Sequence, residues 1–257
     1  MPTKQDMAPG KEELVVGTTL LAGRILMESG SETSRVESTM EHIIRHSMGE
    51  KENQRQHIFV MLNGIFVTLP PLHTSFLQVT KRNYNLSKVT QVNQISRDLA
   101  AGDIDLKETH KRLVEVNAQK PPLFTPLQLL CTALLSGSAA LLFGGPPVAF
   151  PVAAAAGLVS FFIYSLISRF LDMPFIAEFA ATFSGSLAGF FLSRAVGAPI
   201  DFVMIGAVIP LVPGIAVTNA IRDIMDRHYL TGMMRFLECL FIAASLGAGV
   251  ALVYFLF

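Results

Sequence analysis

The sequence predicts an α+β amino-terminal domain over residues 1–120, built of a helix hairpin, a small antiparallel sheet and two helices. An all-α membrane domain of five transmembrane helices follows over 121–257. Two observations carry this division. Up to Lys120 the chain holds 15 Lys and Arg and 14 Asp and Glu, whereas from Pro121 onward only Arg169, Arg194, Arg222, Arg227 and Arg235 and six acids remain, with no lysine. Mean hydropathy is +0.47 over the whole chain, and the apolar residues that raise it lie mostly in the second part. The net charge of zero, with no dense basic patch, excludes nucleic acid as the expected partner.

In chain order, Leu14, Val15, Thr18, Leu21 and Ile25 recur at three- and four-residue spacing, which predicts a helix from Glu12 to Glu28 that Gly30 stops. A second helix is predicted after the hydroxyl caps of Ser31 to Ser34, with Glu32 and Glu37 in its first turns. Its apolar stripe is Val36, Met40, Ile43, Ile44 and Met48, before Gly49. The two helices should pack as a hairpin. Ile58 to Leu62 and Ile65 to Leu69 flank Asn63-Gly64, a dipeptide suited to the positive φ angles of a tight turn, so a β-hairpin is expected there, ended by Pro70-Pro71. Ser75 to Thr80 reads as a third strand, and Leu86 to Ala100 as a helix facing Val89, Val92, Ile95 and Leu99 inward. Asp105 and Glu108 open a further helix with capping-box spacing, and Asn117 to Pro122 reads as the linker to the membrane.

Five apolar spans are predicted: Leu127–Phe143, Val148–Phe170, Phe175–Val196, Phe202–Thr218 and Phe236–Phe257. The polar start of the chain and Arg24 within the first apolar stretch predict no secretory leader, so the soluble domain is expected to stay cytoplasmic. That orientation puts Arg169, Arg222, Arg227 and Arg235 in inner connections and only Arg194 outside, as the positive-inside rule expects for a plasma or inner membrane. The fourth span is broken by Pro210, Pro213 and Gly214 and runs into Asn219, Arg222, Asp223 and Asp226. Such a break in lipid is expected where it lines a cavity or faces a partner helix, because freed carbonyls need partners. Glu178, one turn into the third span, is a candidate proton carrier, and Glu238 is expected to reach water at the cytoplasmic start of the fifth. Gly185 with Gly189 and Ser245 with Gly249 have helix-packing spacing, for contacts within the chain or with another.

Enzyme motifs are weak. His42 and His46 stand four apart beside Glu41, with His57 further on, but Ile43 occupies the position of the catalytic glutamate in HExxH; two histidines on a polar helical face are the expectation. No nucleophile elbow, phosphate loop or dinucleotide fingerprint appears, and Cys131 and Cys239 lack metal or disulfide spacing. The expectation is no enzyme and no cofactor. A membrane-anchored hydrolase or metal-binding domain and a non-transporting assembly or regulatory subunit stand as alternatives.

Two stretches resemble the threonine/serine exporter (ThrE-like) family, in particular its two-component branch. They are GSETSRVESTMEHI, Gly30 to Ile43, and LVPGIAVTNAIRDIMDRHYLTGMMR, Leu211 to Arg235. The likeness runs from about Leu14 to the C-terminus. It implies a non-enzymatic inner-membrane exporter of threonine and serine or of dicarboxylates such as succinate, driven by the proton gradient. Family residues carry over onto Gly30, Glu32, Arg35 and Glu37 in the soluble domain and onto Pro213, Gly214, Asn219, Asp223 and Gly232 in the membrane domain. The odd number of spans leaves a missing half to another polypeptide or a second copy of this chain, and the resemblance implies a small multi-span subunit in that place. The residues expected to serve the path are Pro210, Pro213, Gly214, Asn219, Arg222, Asp223 and Glu178.

Overall fold

The computed structural model describes residues 9–48, 57–69, 74–80, 84–119, 125–170, 173 and 175–257. The expected end of the hairpin at Pro70-Pro71, the helix stop at Gly49, most of the connection Leu171–Pro174 and the core of the linker around 120–124 lie outside the described residues. Two compact units form: residues 1–120 with 215–236, and residues 121–214 with 237–257.

The first unit opens with α1, Pro9–Glu28, and α2, Thr33–Met48. Gly30 adopts φ 83°, and its flanking bonds, Gly30 N to Met27 O and Ser31 N to Leu26 O, close the end of α1 as a Schellman turn. A side chain there would meet the ring of Tyr84. Val15, Ile25, Val36, Met40, Ile43 and Ile44 are buried where the two helices and the sheet meet, so the apolar stripes of both helices supply the core. His42 and His46 stack with ring centroids 6.2 Å apart on the exposed face of α2, and among the described residues no group of three His, Cys, Asp or Glu could hold a metal ion.

The sheet is β1, His57–Met61, β2, Gly64–Thr68, and β3, Ser75–Gln78, antiparallel in that order. Its hairpin differs from expectation. Met61 pairs with Gly64, so Leu62 and Asn63 form the turn, and Gly64 is a strand residue without positive φ. Burial of Val60, Ile65 and Val67 fixes this register, because a one-residue slip would turn that set to the opposite face. Gly64 is used instead as the bare surface on which the Phe76 ring lies. Two helices complete the amino-terminal part of the unit: α3, Leu86–Ala101, capped by Asn85 and ended at Gly102, and α4, Leu106–Ala118, capped by Asp105. Val89, Val92, Ile95 and Leu99 face inward as their spacing predicts.

The second unit contains α5, Pro126–Leu142, α6, Ala149–Phe170, α7, Ile176–Val196, and α8, Ile200–Val208, which continues as a 3₁₀ turn over Ile209–Leu211. After Val212 and Pro213 the chain resumes as α9, Gly214–Met225, and then α10, Tyr229–Leu256, whose residues from 237 belong to this unit. Against the five expected spans, only α6, α7 and α10 are singly long and apolar enough to cross a membrane among the described residues. A fourth crossing arises if Ile200–Leu211 and Gly214–Met225 act as one broken span, while α5 is apolar but has 17 residues. The 12 residues of Ile200–Leu211 reach roughly 18 Å, short of the ~30 Å hydrocarbon core. The last helix starts at Tyr229, seven residues before the expected Phe236, because the charged stretch Asn219–Arg235 is helical on both sides of a tight turn and is not a loop.

Within this unit small residues set the helix spacing. Ser136 lies on Gly157 and Ser160 on Gly185, and added methyl groups would stand 2.8 Å from the carbonyl oxygens of Gly206 and Ala156 respectively. Gly189 meets Val203 and Ala156, and Gly249 meets Thr182 and Phe179, so these spacings are used inside the chain.

Candidate functional site

The turn between α9 and α10 organises the site. Arg227 takes the left-handed position at φ 70°, and the bonds Arg227 N to Ile224 O and His228 N to Asp223 O close α9 as Gly30 closes α1. The chain then reverses into α10, where the carbonyl of His228 accepts from Gly232 N. Gly232 lets the two helices touch: a Cβ there would sit 2.9 Å from the Ala220 carbonyl oxygen and 2.6 Å from Ile224. That contact explains the family-like glycine near the end of the second motif.

Residues 215–236 of this helix pair belong to the first unit, and their polar side chains meet the start of α2. Asn219 Nδ2 donates to the Gly30 carbonyl at 2.8 Å. The Thr33 N–H, at the first position of α2, donates to Asp223 Oδ1 at 2.9 Å, so a carboxylate from 190 residues away caps the helix where its unpaired amides and dipole favour negative charge. The Ser34 hydroxyl donates to Asp226 Oδ2 at 2.8 Å. Arg222 pairs with Glu32, which also accepts from Arg35 Nε at 3.1 Å. Arg235 directs both terminal nitrogens at the Ser31 carbonyl, each at 3.4 Å, and its Nε stands 3.5 Å from Asp223 Oδ2. His228 Nε2 lies 3.5 Å from Glu37 Oε2, while Glu37 Oε1 accepts from the Val60 N–H at 3.3 Å.

Burial ranks these contacts. Asp223 is fully buried and Arg235 is 3% exposed, so their pairing is made away from water, whereas the Arg222 side chain is half exposed and its pair with Glu32 contributes little. Burial raises the Glu37 carboxyl above its ordinary 4.5, opposed by nearby His228 and by the Val60 N–H.

Seven of the residues singled out in the sequence thus converge: Gly30, Glu32, Arg35 and Glu37 with Asn219, Arg222 and Asp223. Pro210, Pro213, Gly214 and Glu178 lie in the second unit. Pro210 is in the 3₁₀ turn, Pro213 in the break, and Gly214 opens α9. Glu178 is 8% exposed in the first turn of α7, and its Oε2 has no hydrogen-bond partner among the described residues. Sequence reasoning gave Ser31, Thr33, Ser34, Asp226, His228 and Arg235 no site role. The available signal was the crowding of polar residues after Asn219 in a half otherwise nearly free of them.

A model of the threonine/serine exporter family matches residues 18–257. The chain belongs to that family. As a member of it with several apolar helices, it is a multi-pass membrane protein of an exporter family. Among curated proteins, the threonine/serine exporter of Corynebacterium glutamicum is 27% identical over 186 residues, which are 69% of this chain and 37% of that protein. This family member thus aligns with little more than a third of its relative's length. No solved structure matches it.

Proposed function

We propose that this chain is a subunit of a secondary exporter of small carboxylate-bearing metabolites, threonine and serine or a dicarboxylate such as succinate, driven by the proton gradient. The observation that carries the reading is the meeting of the two family-like motifs, 190 residues apart, in one buried polar cluster. A cluster that joins α2 to the helix following the Pro210–Gly214 break can couple the amino-terminal domain to that helix. In this reading the amino-terminal domain is cytoplasmic, the break faces a cavity or a partner helix, and Glu178 carries the proton from its buried position. A small multi-span subunit or a second copy of this chain is its partner in the membrane.

Counterflow in proteoliposomes tests it. Labelled threonine, serine or succinate should exchange against unlabelled substrate when this chain is reconstituted, alone or with the small subunit. Net export driven by an imposed proton gradient should collapse in Glu178→Gln while solute-free controls stay flat. Absence of movement of all three substrates in both reconstitutions would remove the reading.

A further inference from the structure

Four polar atoms around the start of α2 stay without a hydrogen bond among the described residues, although all are shielded from water: Ser31 Oγ, Thr33 Oγ1, Asp223 Oδ2 and Arg235 Nε. Their residues are 5%, 0%, 0% and 3% exposed. Buried polar groups are normally satisfied, because leaving one bare costs its whole desolvation. Asp223 Oδ2 and Arg235 Nε lie within ion-pair range at 3.5 Å, yet their geometry forms no hydrogen bond. The cluster therefore offers an anion, a cation and two hydroxyls, each with unused hydrogen-bonding capacity, at a helix N-terminus.

We propose that this is a binding site for a zwitterionic α-amino acid, with Arg235 taking the carboxylate, Asp223 the ammonium and the Ser31 and Thr33 hydroxyls a polar side chain. The inference rests on the exporter reading and assigns its substrate a place. Charge selects the ligand class. Glu32 is already neutralised by Arg35 and Arg222, Glu37 faces His228, and the exposed Asp226 accepts from Ser34. One buried cation then matches one buried anion. A zwitterion leaves that balance unchanged, whereas a dicarboxylate would bury two further negative charges against a single guanidinium already paired. The guanidinium presents its donors as a planar fork suited to a carboxylate, and a site with buried hydroxyls disfavours a ligand that leaves them unpaired. The site is closed in this structure, so the ligand enters as Arg235 and Asp223 part.

Binding of labelled L-threonine and L-serine to the purified full chain in detergent tests the assignment, with succinate and L-alanine as competitors. Thr33→Val preserves shape and Asp223→Asn preserves an acceptor for the Thr33 N–H, so both retain the fold, which their melting curves check. Each should weaken threonine binding about tenfold or more, as should Arg235→Lys. Alanine should compete weakly and succinate not at all. Wild-type affinity in Thr33→Val and Asp223→Asn, or competition by succinate equal to that by threonine, would overturn the site. Counterflow on the same variants separates the two readings. Exchange by wild type and Thr33→Val with the same substrate affinity leaves the exporter standing and removes this site. No exchange by wild type removes both.

Discussion

In the first unit the deeply buried polar residues include charged ones bonded across distant segments, with Asp223 reaching Thr33 and Arg235. In the second they are mainly hydroxyls, Ser136, Ser160, Ser186 and Ser193, which have no hydrogen-bond partner among the described residues, and two of them rest on glycines. The difference follows from what drives association in each setting. Between apolar helices in lipid the hydrophobic effect supplies nothing, and close approach over small residues supplies dispersion. A buried charge pair adds little net stability but fails badly when one member is removed, so it specifies one arrangement. The first unit therefore has an apolar core whose arrangement is specified by a few buried polar contacts, and the second is set by close approach of helices over small residues.

Asp223→Ala should break the first arrangement hardest. It strands Arg235 and the Thr33 N–H, with a cost of about 3–5 kcal/mol in detergent melts, where Asp223→Asn should cost clearly less. Equal costs would mean that the charge is incidental. In the second unit Gly157→Ala drives a methyl into Ser136 and the Gly206 carbonyl, with a cost of about 1–3 kcal/mol. The same change at Gly214, where a Cβ meets nothing within 4 Å, supplies the comparison and should show no packing penalty. Matching losses at the two glycines would contradict the packing account.

The smallest effect is expected at Glu37. Its carboxyl is raised chiefly by burial, so the folded protein holds this proton more tightly than the unfolded chain. That contribution is complete below pH 4.5 and is lost as pH rises through the raised value. Glu37→Gln keeps an oxygen for the Val60 N–H and removes the titration. Its stability relative to wild type should therefore improve as pH rises from 4.5 through the raised value. A pH-independent difference would contradict the assignment.

The helices were legible because their apolar residues repeat at helical spacing. The inward set Val89, Val92, Ile95 and Leu99 and the stop at Gly30 are local features that one window of sequence contains. The hairpin turn was displaced by one residue because Asn63-Gly64 carries a strong local preference, while the register is decided by burial of Ile65 and Val67 across the sheet. The convergence of the two motifs was not legible at all. It depends on contacts across about 190 residues and on Arg227 adopting a left-handed conformation that favours glycine, asparagine or aspartate. Arg235 read as one more inner positive charge for the same reason.

The start of α2 and the α9–α10 turn form one cluster, and a cross-link between them is its sharpest probe. Ser34→Cys with Asp226→Cys, in a background carrying Cys131→Ala and Cys239→Ala, replaces a side-chain hydrogen bond of 2.8 Å. Mild oxidation of the full chain in membranes, or a short reducible thiol-to-thiol cross-linker that spans the atom lost from the aspartate, should link the pair, visible as a mobility shift that a reductant reverses and that Asp226→Cys alone does not show. Failure of the pair to cross-link, in protein that melts like wild type, would contradict the account.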